Sequence, residues 1–364
     1  MKARSLCVSA LALSAVAGAH AQTSSVTMYG LLDASAGALS RTAVSDKTKY
    51  VLNTDTGASS RIGFKGTEDL GGGLSAIFNL EASAGIDTGA PVTAAASGAA
   101  PATANAFFRR NSWIGLAGAF GQITLGRDYT AGILTQAGTM TALTTGINTG
   151  FATAVGSQGI GNDFWNSNQI KYRSPRIAGF QFTGAMSAGE SNNGNRAGST
   201  AGADLTYVNG PVTIDATYQK DYGSATADLG KSLYWYALSG AFKFGDFRLT
   251  AGYDRVNNSK NIATGAVYAG WVDSKMMTVG LAYSVTPLLV VSGQYYQTKE
   301  LAKSTSTKQS LLEAQYYLSK RTSVYALLNH VSAGNLGARP LWNNADTIVN
   351  NSATALAAGI QHSF

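Results

Sequence analysis

The stretch Phe107–Tyr129, FFRRNSWIGLAGAFGQITLGRDY, reads as two β-strands joined by a tight turn at Gly118–Gly121. The first strand opens behind a pair of arginines, Arg109 and Arg110, and the second ends on Arg127 and Asp128. From Thr130 to Asn162 the chain then runs for 33 residues without a Lys, Arg, Asp or Glu. That run is rich in Gly, Thr and Ala and shows no steady period. A connection this long inside a compact domain is uncommon and usually functional. The spacing predicts a loop that folds inward, with the arginines on a wall opposite it.

The rest of the chain supplies that wall. Val212, Ile214, Ala216 and Tyr218 alternate with Thr213, Asp215, Thr217 and Gln219, and Phe247, Leu249, Ala251 and Tyr253 alternate with polar or small neighbours. Period two marks strands with one apolar and one polar face. Tight breakers occur at Asp69–Gly73, Gly118–Gly121, Ala178-Gly179, Asn209–Pro211, Gly245-Asp246, Thr286-Pro287 and Lys320-Arg321. Longer polar stretches lie near 40–58, 86–106, 130–166, 190–198, 223–230, 258–270, 300–307 and 333–353. Short and long connections therefore alternate along the chain. Seven turns and eight loops join sixteen strands. This is the plan of a transmembrane β-barrel with short periplasmic turns and long outer loops. The expected fold is all-β, a 16-stranded antiparallel transmembrane barrel whose third outer loop, about residues 130–166, folds into the lumen.

Tyr234-Trp235-Tyr236, Trp271, Tyr295-Tyr296 and Tyr316-Tyr317 sit near strand ends, where interfacial girdles belong. A soluble β-sandwich would alternate in the same way, but some 340 residues in one unit is long for it. No domain boundary is visible, and residues 88–106 form a nearly uncharged low-complexity loop.

Residues 1–21 read as a secretory signal peptide: Lys2 and Arg4, an apolar stretch from Leu6 to Ala17, then Ala19-His20-Ala21 at a cleavage site. The barrel domain is then 22–364. The single cysteine, Cys7, leaves with the signal, so the mature chain forms no disulfide. The formal charge of +7 falls to +5, twenty-five basic against twenty acidic residues, once Lys2 and Arg4 leave. With no basic run longer than Arg109-Arg110, an exported chain of this kind has no nucleic acid as a partner. No mature stretch approaches 18 consecutive apolar residues, the length that marks a transmembrane helix.

The chain resembles the general trimeric porins of Gram-negative outer membranes, most closely the β-proteobacterial type. The motifs that carry the resemblance are SSVTMYGLLDA, SRIGFKGTEDLGGGLSAIFNLE, the arginine strand with LGRDY, IKYRSP, YYLSKRTSVYALLNH and the closing Phe364, in that order over the whole mature chain. The resemblance implies a homotrimer, a second outer loop that reaches over a neighbouring subunit, and a terminal Phe364 read by the barrel-assembly machinery. It implies a ladder of basic wall residues at the constriction. Arg61 in SRIGFKG and Arg127 in LGRDY match two of them, and Arg110 matches a third by its place before the strand; strict alternation with Trp113 would instead turn Arg109 inward, and both stay open. Two positions depart from the family pattern. Trp165 stands where some members carry an arginine, and the acidic motif usual in the third loop is missing, leaving only Asp128 and Asp163 at its two ends.

By alternation Asp33, Arg61, Lys65, Glu81, Lys171 and Arg173 point into the lumen. Arginine suits such a wall because it stays charged and is weakly hydrated. Fixed charges lining a pore select among ions. The constriction set is thus Arg61, Arg109 or Arg110, Arg127, Asp128, Asp163, Trp165 and Lys171, with Asp33, Lys65, Glu81 and Arg173 on the wall. For any single member the bland alternative is a solvated or salt-bridged wall charge, which contributes only about 0–1 kcal/mol. Gly71-Gly72-Gly73 is a tight turn, since the Lys-Ser/Thr of a phosphate loop does not follow it. The mature chain has two histidines, His330 and His362, and neither stands in a nucleophile–base signature.

The expectation is a passive channel in the outer-membrane lipid for small hydrophilic solutes and ions, with no cofactor. The positive excess facing an uncharged loop predicts mild anion preference. The alternatives are a porin preferring a class of small anions, and a structural or adhesive barrel plugged by its loop.

Overall fold

The computed structural model describes residues 24–364, apart from 43–44, 91–106, 146, 157, 159–163, 195, 224–227, 259–271, 304, 335–336 and 343–345. The signal segment, most of the second outer loop, Asp163 and Trp271 lie outside the described residues.

One antiparallel sheet contains the strands β1 (Ser24–Leu39), β2 (Lys49–Thr54), β3 (Arg61–Gly71), β4 (Leu74–Ser83), β5 (Asn111–Gly118), β6 (Gly121–Tyr129), β7 (Trp165–Arg173), β8 (Phe180–Ser187) and β9 (Thr200–Asn209). It continues through β10 (Val212–Tyr222), β11 (Ser232–Phe244), β12 (Phe247–Asn257), β13 (Ser274–Ser284), β14 (Leu289–Glu300), β15 (Ser306–Tyr317), β16 (Thr322–Ala333) and β17 (Asn351–Ser363). Each strand pairs with its sequence neighbours, apart from the split described next, and β17 pairs back onto β1, with Asp33 opposite Gln361, so the sheet closes. Gly30 and Phe364 exchange both backbone hydrogen bonds, 3.0 and 3.1 Å, which ties the last residue into the wall.

The seventeen strands make sixteen staves. β2 pairs with Ala34–Leu39 of β1 and β3 with Ser24–Leu31, so β2 and β3 are two halves of one stave interrupted at 55–60. The polar stretch near 40–58 was expected to be loop throughout. Within it Tyr50 and Leu52 point outward, and the segment extends the wall above the break.

Burial is inverted relative to a soluble protein. On β13, Met277, Val279, Leu281 and Tyr283 are exposed on the outer face, while Ser274 and Thr278 are buried on the inner one. The same holds on β5 to β10, where Ile114, Leu125, Ile170, Phe182, Leu205 and Ile214 face out and Thr124, Lys171, Thr183, Asp204 and Asp215 face in. An apolar exterior around a polar interior is the pattern of a membrane barrel. At the end carrying the short turns, Phe242, Phe244, Phe247 and Tyr283 form an outer stack with successive centroids 5.8, 5.3 and 4.6 Å apart.

The girdle expectation fails for two residues. Trp235 and Tyr296 are each 1% exposed and face inward. Consecutive residues of a strand point to opposite faces, so Tyr234-Trp235-Tyr236 and Tyr295-Tyr296 must split. The inward members join Leu233, Val256, Met276, Leu311 and Leu327 in an apolar patch inside the barrel, and the third loop packs on that patch.

Candidate pore constriction

The third loop leaves β6 at Tyr129 and returns at Trp165, where Thr130 N–H donates to Phe164 O at 2.9 Å. Inside it forms helix α1 (Ile133–Met140), a π-helical turn (Asn148–Ala152) and one more helical turn, α2 (Thr153–Gly156). Ile133, Ala137 and Met140 share one face of α1 and, with Leu143, Phe151, Ala154 and Val155, cover the apolar patch on the wall. Fully burying a side chain of this size contributes about 1.5–3 kcal/mol. The helix begins at Gly132, where a Cβ would meet Thr217 Oγ1 at 2.1 Å, so only glycine brings the loop this close to β10. At its other end Arg248 donates to Gly138 O and, at 2.7 Å, to Thr141 O. A cation there satisfies orphan carbonyls and the helix dipole together.

Neutral donors on the loop meet acceptors on the wall. Gln136 Nε2 donates to Asp215 and Thr217, and Ser239 donates to Gln136 Oε1 at 2.9 Å. Gln294 accepts from Ala142 N–H at 2.7 Å and donates to Met140 O at 3.1 Å. Glu313 accepts four bonds from the loop: Thr144 N–H 2.8 Å, Thr144 hydroxyl 2.6 Å, Thr145 N–H 3.1 Å and Thr145 hydroxyl 2.9 Å. Gln309 Nε2 donates to Thr149 O at 2.6 Å. Acidic groups of β10 and β15 are thereby engaged behind the loop.

On the opposite side the loop meets the break in the second stave. Asn148 Nδ2 donates to Asp55 O at 2.9 Å, Asn148 N–H to Gly57 O at 3.1 Å, and the Thr149 hydroxyl to Thr56 O at 2.7 Å. Asp55 itself has φ 63°, a left-handed backbone that turns the chain inward. Asp33 holds the turn from below, accepting from Ala58 N–H at 3.2 Å, Tyr325 OH at 2.9 Å and Gln361 Nε2 at 2.6 Å.

Between loop and wall lies a cavity of about 490 Å³. Arg61, Lys65, Glu81, Arg110 and Trp165 all line it. Arg110, rather than Arg109, is the arginine on this cavity. Its Nε donates to Glu81 Oε1 at 2.5 Å and its Nη2 to Tyr129 OH at 2.5 Å, and the guanidinium lies 4.9 Å from the Trp165 ring centroid. Arg61 stands 3.5 Å from the other Glu81 oxygen and donates to Ser59 O at 2.8 Å. Tyr29 OH donates to Glu81 Oε2 at 2.9 Å. Lys65 stands over the Tyr29 ring at 5.3 Å and makes no ion pair among the described residues.

The other named residues lie elsewhere. Arg127 donates to Arg109 O and Ser167 Oγ, both at or below 2.9 Å, and does not line the cavity. A register shift between Gly126 and Asp128 interrupts the alternation there. Lys171 and Asp128 form a 2.7 Å ion pair, and Arg173 reaches Gln181 at 2.9 Å. Asp33 is buried beneath the break.

A second cavity of about 460 Å³ lies on the short-turn side of α1, and Leu134 lines both. Its basic residues are Arg176, Lys243 and Arg248, with no carboxylate. The sequence reading missed all three. Lys243 and Arg248 are directly opposed across the Gly245-Asp246 turn, and both continue the inward parity of Ser239 and Thr250. It also missed the apolar patch, which Leu233–Leu238, apolar on both faces, signals as a strand covered on both sides.

A closed, polar-lined barrel narrowed by an inward loop defines a membrane channel. A family model described as Gram-negative porin matches residues 8–336. Outer membrane porin protein 32 of Delftia acidovorans is 29% identical, over 98% of both chains. Major outer membrane protein P.IB of Neisseria gonorrhoeae is 28% identical, over 98% of this chain and 99% of that one. The solved structure of the anion-selective porin from Comamonas acidovorans has the same fold at a TM-score of 0.76 and 24% identity, covering 94% of this chain and all of that one. The chain belongs to the Gram-negative porin family. It is an outer-membrane barrel for passive diffusion, not an enzyme.

Proposed function

We propose that the mature chain, freed of residues 1–21, is a homotrimeric general porin that conducts small hydrophilic solutes and ions with a mild preference for anions. One observation carries the preference: among the described residues, six basic side chains and a single carboxylate, Glu81, line the two cavities on either side of α1. Glu81 is already engaged by Arg110. Residues 130–162 of the loop add no charge. A fixed positive excess at the narrowest region raises the local anion concentration. The structural neighbour described as anion-selective is consistent with this reading. Arg61, Lys65 and Arg110 are the constriction cations, and Arg127 and Lys171 contribute at longer range. Trimer assembly follows the family, with Phe364 as the terminus the barrel-assembly machinery reads.

The test is a pair of wall variants in planar bilayers. Lys65→Gln with Lys243→Gln should shift the chloride-to-potassium permeability ratio toward potassium without loss of the heat-modifiable folded form on gels. An unchanged ratio contradicts the assignment of these side chains to the ion path.

A further inference from the structure

We propose that the cavity between α1 and the β1–β4 wall retains small monocarboxylates that carry an apolar body about the size of one aromatic ring. The inference rests on the anion reading above and adds a solute class to it.

The cavity has two unlike sides. One presents Arg61, Lys65 and the edge of Arg110. Lys65 is exposed and has no carboxylate partner among the described residues, so its ammonium is available to a solute anion. The other side is loop, where exposed Leu134 and half-buried Ile147 present apolar surface and Ile133, Ala137 and Phe151 are buried behind them. Leu134 is 57% exposed although it belongs to a helix whose other face is tightly packed. It lines both cavities.

A hydrated inorganic anion gains nothing from such a surface. A carboxylate on an apolar body gains on both sides at once, the charge toward Lys65 and Arg61 and the body against Leu134 and its neighbours. Pockets of about 300–1,000 Å³ with apolar walls and a few convergent polar groups are the usual form of small-molecule sites. At about 490 Å³ this cavity holds a single ring and its carboxylate. The cations select the charge, and the apolar loop separates a ring acid from a short one.

The experiment uses the purified full mature assembly in planar bilayers in potassium chloride. Benzoate, acetate and neutral benzamide are added in turn, and the fall in chloride current is followed against concentration. Benzoate should depress the current with saturation at a concentration roughly tenfold below that of acetate, as expected for partial burial of one ring. Benzamide should have no effect. Leu134→Asn should bring benzoate to the acetate level, whereas Leu134→Phe should keep the separation. A chloride-preferring channel that treats benzoate and acetate alike overturns this inference and leaves the anion reading standing. Persistence of the separation in Leu134→Asn overturns it as well. A channel that prefers potassium over chloride overturns both.

Discussion

Arg110 and Lys65 line the same cavity but differ in what their charge is free to do. Arg110 is 6% exposed, paired with Glu81, hydrogen-bonded to the Tyr129 hydroxyl and 4.9 Å from the Trp165 ring centroid. Removing one partner of a buried pair costs about 3–5 kcal/mol, because the other charge is left stranded. Arg110→Gln should therefore lower the thermal unfolding temperature and also shift selectivity toward cations. Lys65→Gln, with no pair to break, should shift selectivity alone. Both follow from unfolding in detergent alongside reversal potentials. At this scale alternation turns Arg61, Lys65 and Glu81 inward, and all three line the cavity because β3 and β4 are regular where they sit. Arg127, placed at the constriction by resemblance alone, bonds Arg109 O and Ser167 beside a register shift on β6 that leaves no mark in the sequence.

The third loop shows how a long run without charge, residues 130–162, is held in place. Its donors are amides and hydroxyls, and the charges that receive them belong to the wall. Glu313 alone accepts four bonds. A buried donor left without a partner costs about 1–3 kcal/mol. Glu313→Ala should loosen the segment at Thr144-Thr145 while the sheet stays intact. The expected signature is a larger, noisier single-channel conductance with unchanged heat-modifiability; currents as quiet as those of the wild type would show that other contacts suffice. The charge-free run made the inward loop legible in the sequence. Its helix was not, because α1 is only eight residues long, below the length at which helices form in isolation. Packing on Leu233, Trp235, Met276 and Tyr296 decides its conformation. Those inward apolar side chains interrupt the polar lumen that alternation alone would predict.

For the whole molecule, the alternation of short and long connections was enough to count the staves. Turns repeat on a fixed plan in a closed antiparallel sheet, so strand number survives errors of several residues at each boundary. The break at 55–60 did not show in the same way, since it arises from contacts with Asp33, Asn148 and Thr149, all distant in sequence. The loop joins that break through Asn148 and Thr149, and the cavity lies between the loop and the wall beside it. A lumen narrowed in this way, with Glu81 and Glu313 engaged and Lys65 exposed without an ion pair among the described residues, should conduct anions more readily than cations. The preference should fade at high salt, because the screening length shrinks to about 3 Å at 1 M. The most direct measurement is the zero-current potential of the reconstituted wild-type channel across a steep potassium chloride gradient at low ionic strength. A dilute side that becomes negative, as chloride crosses faster than potassium, is the predicted result. A dilute side that becomes positive would contradict the account.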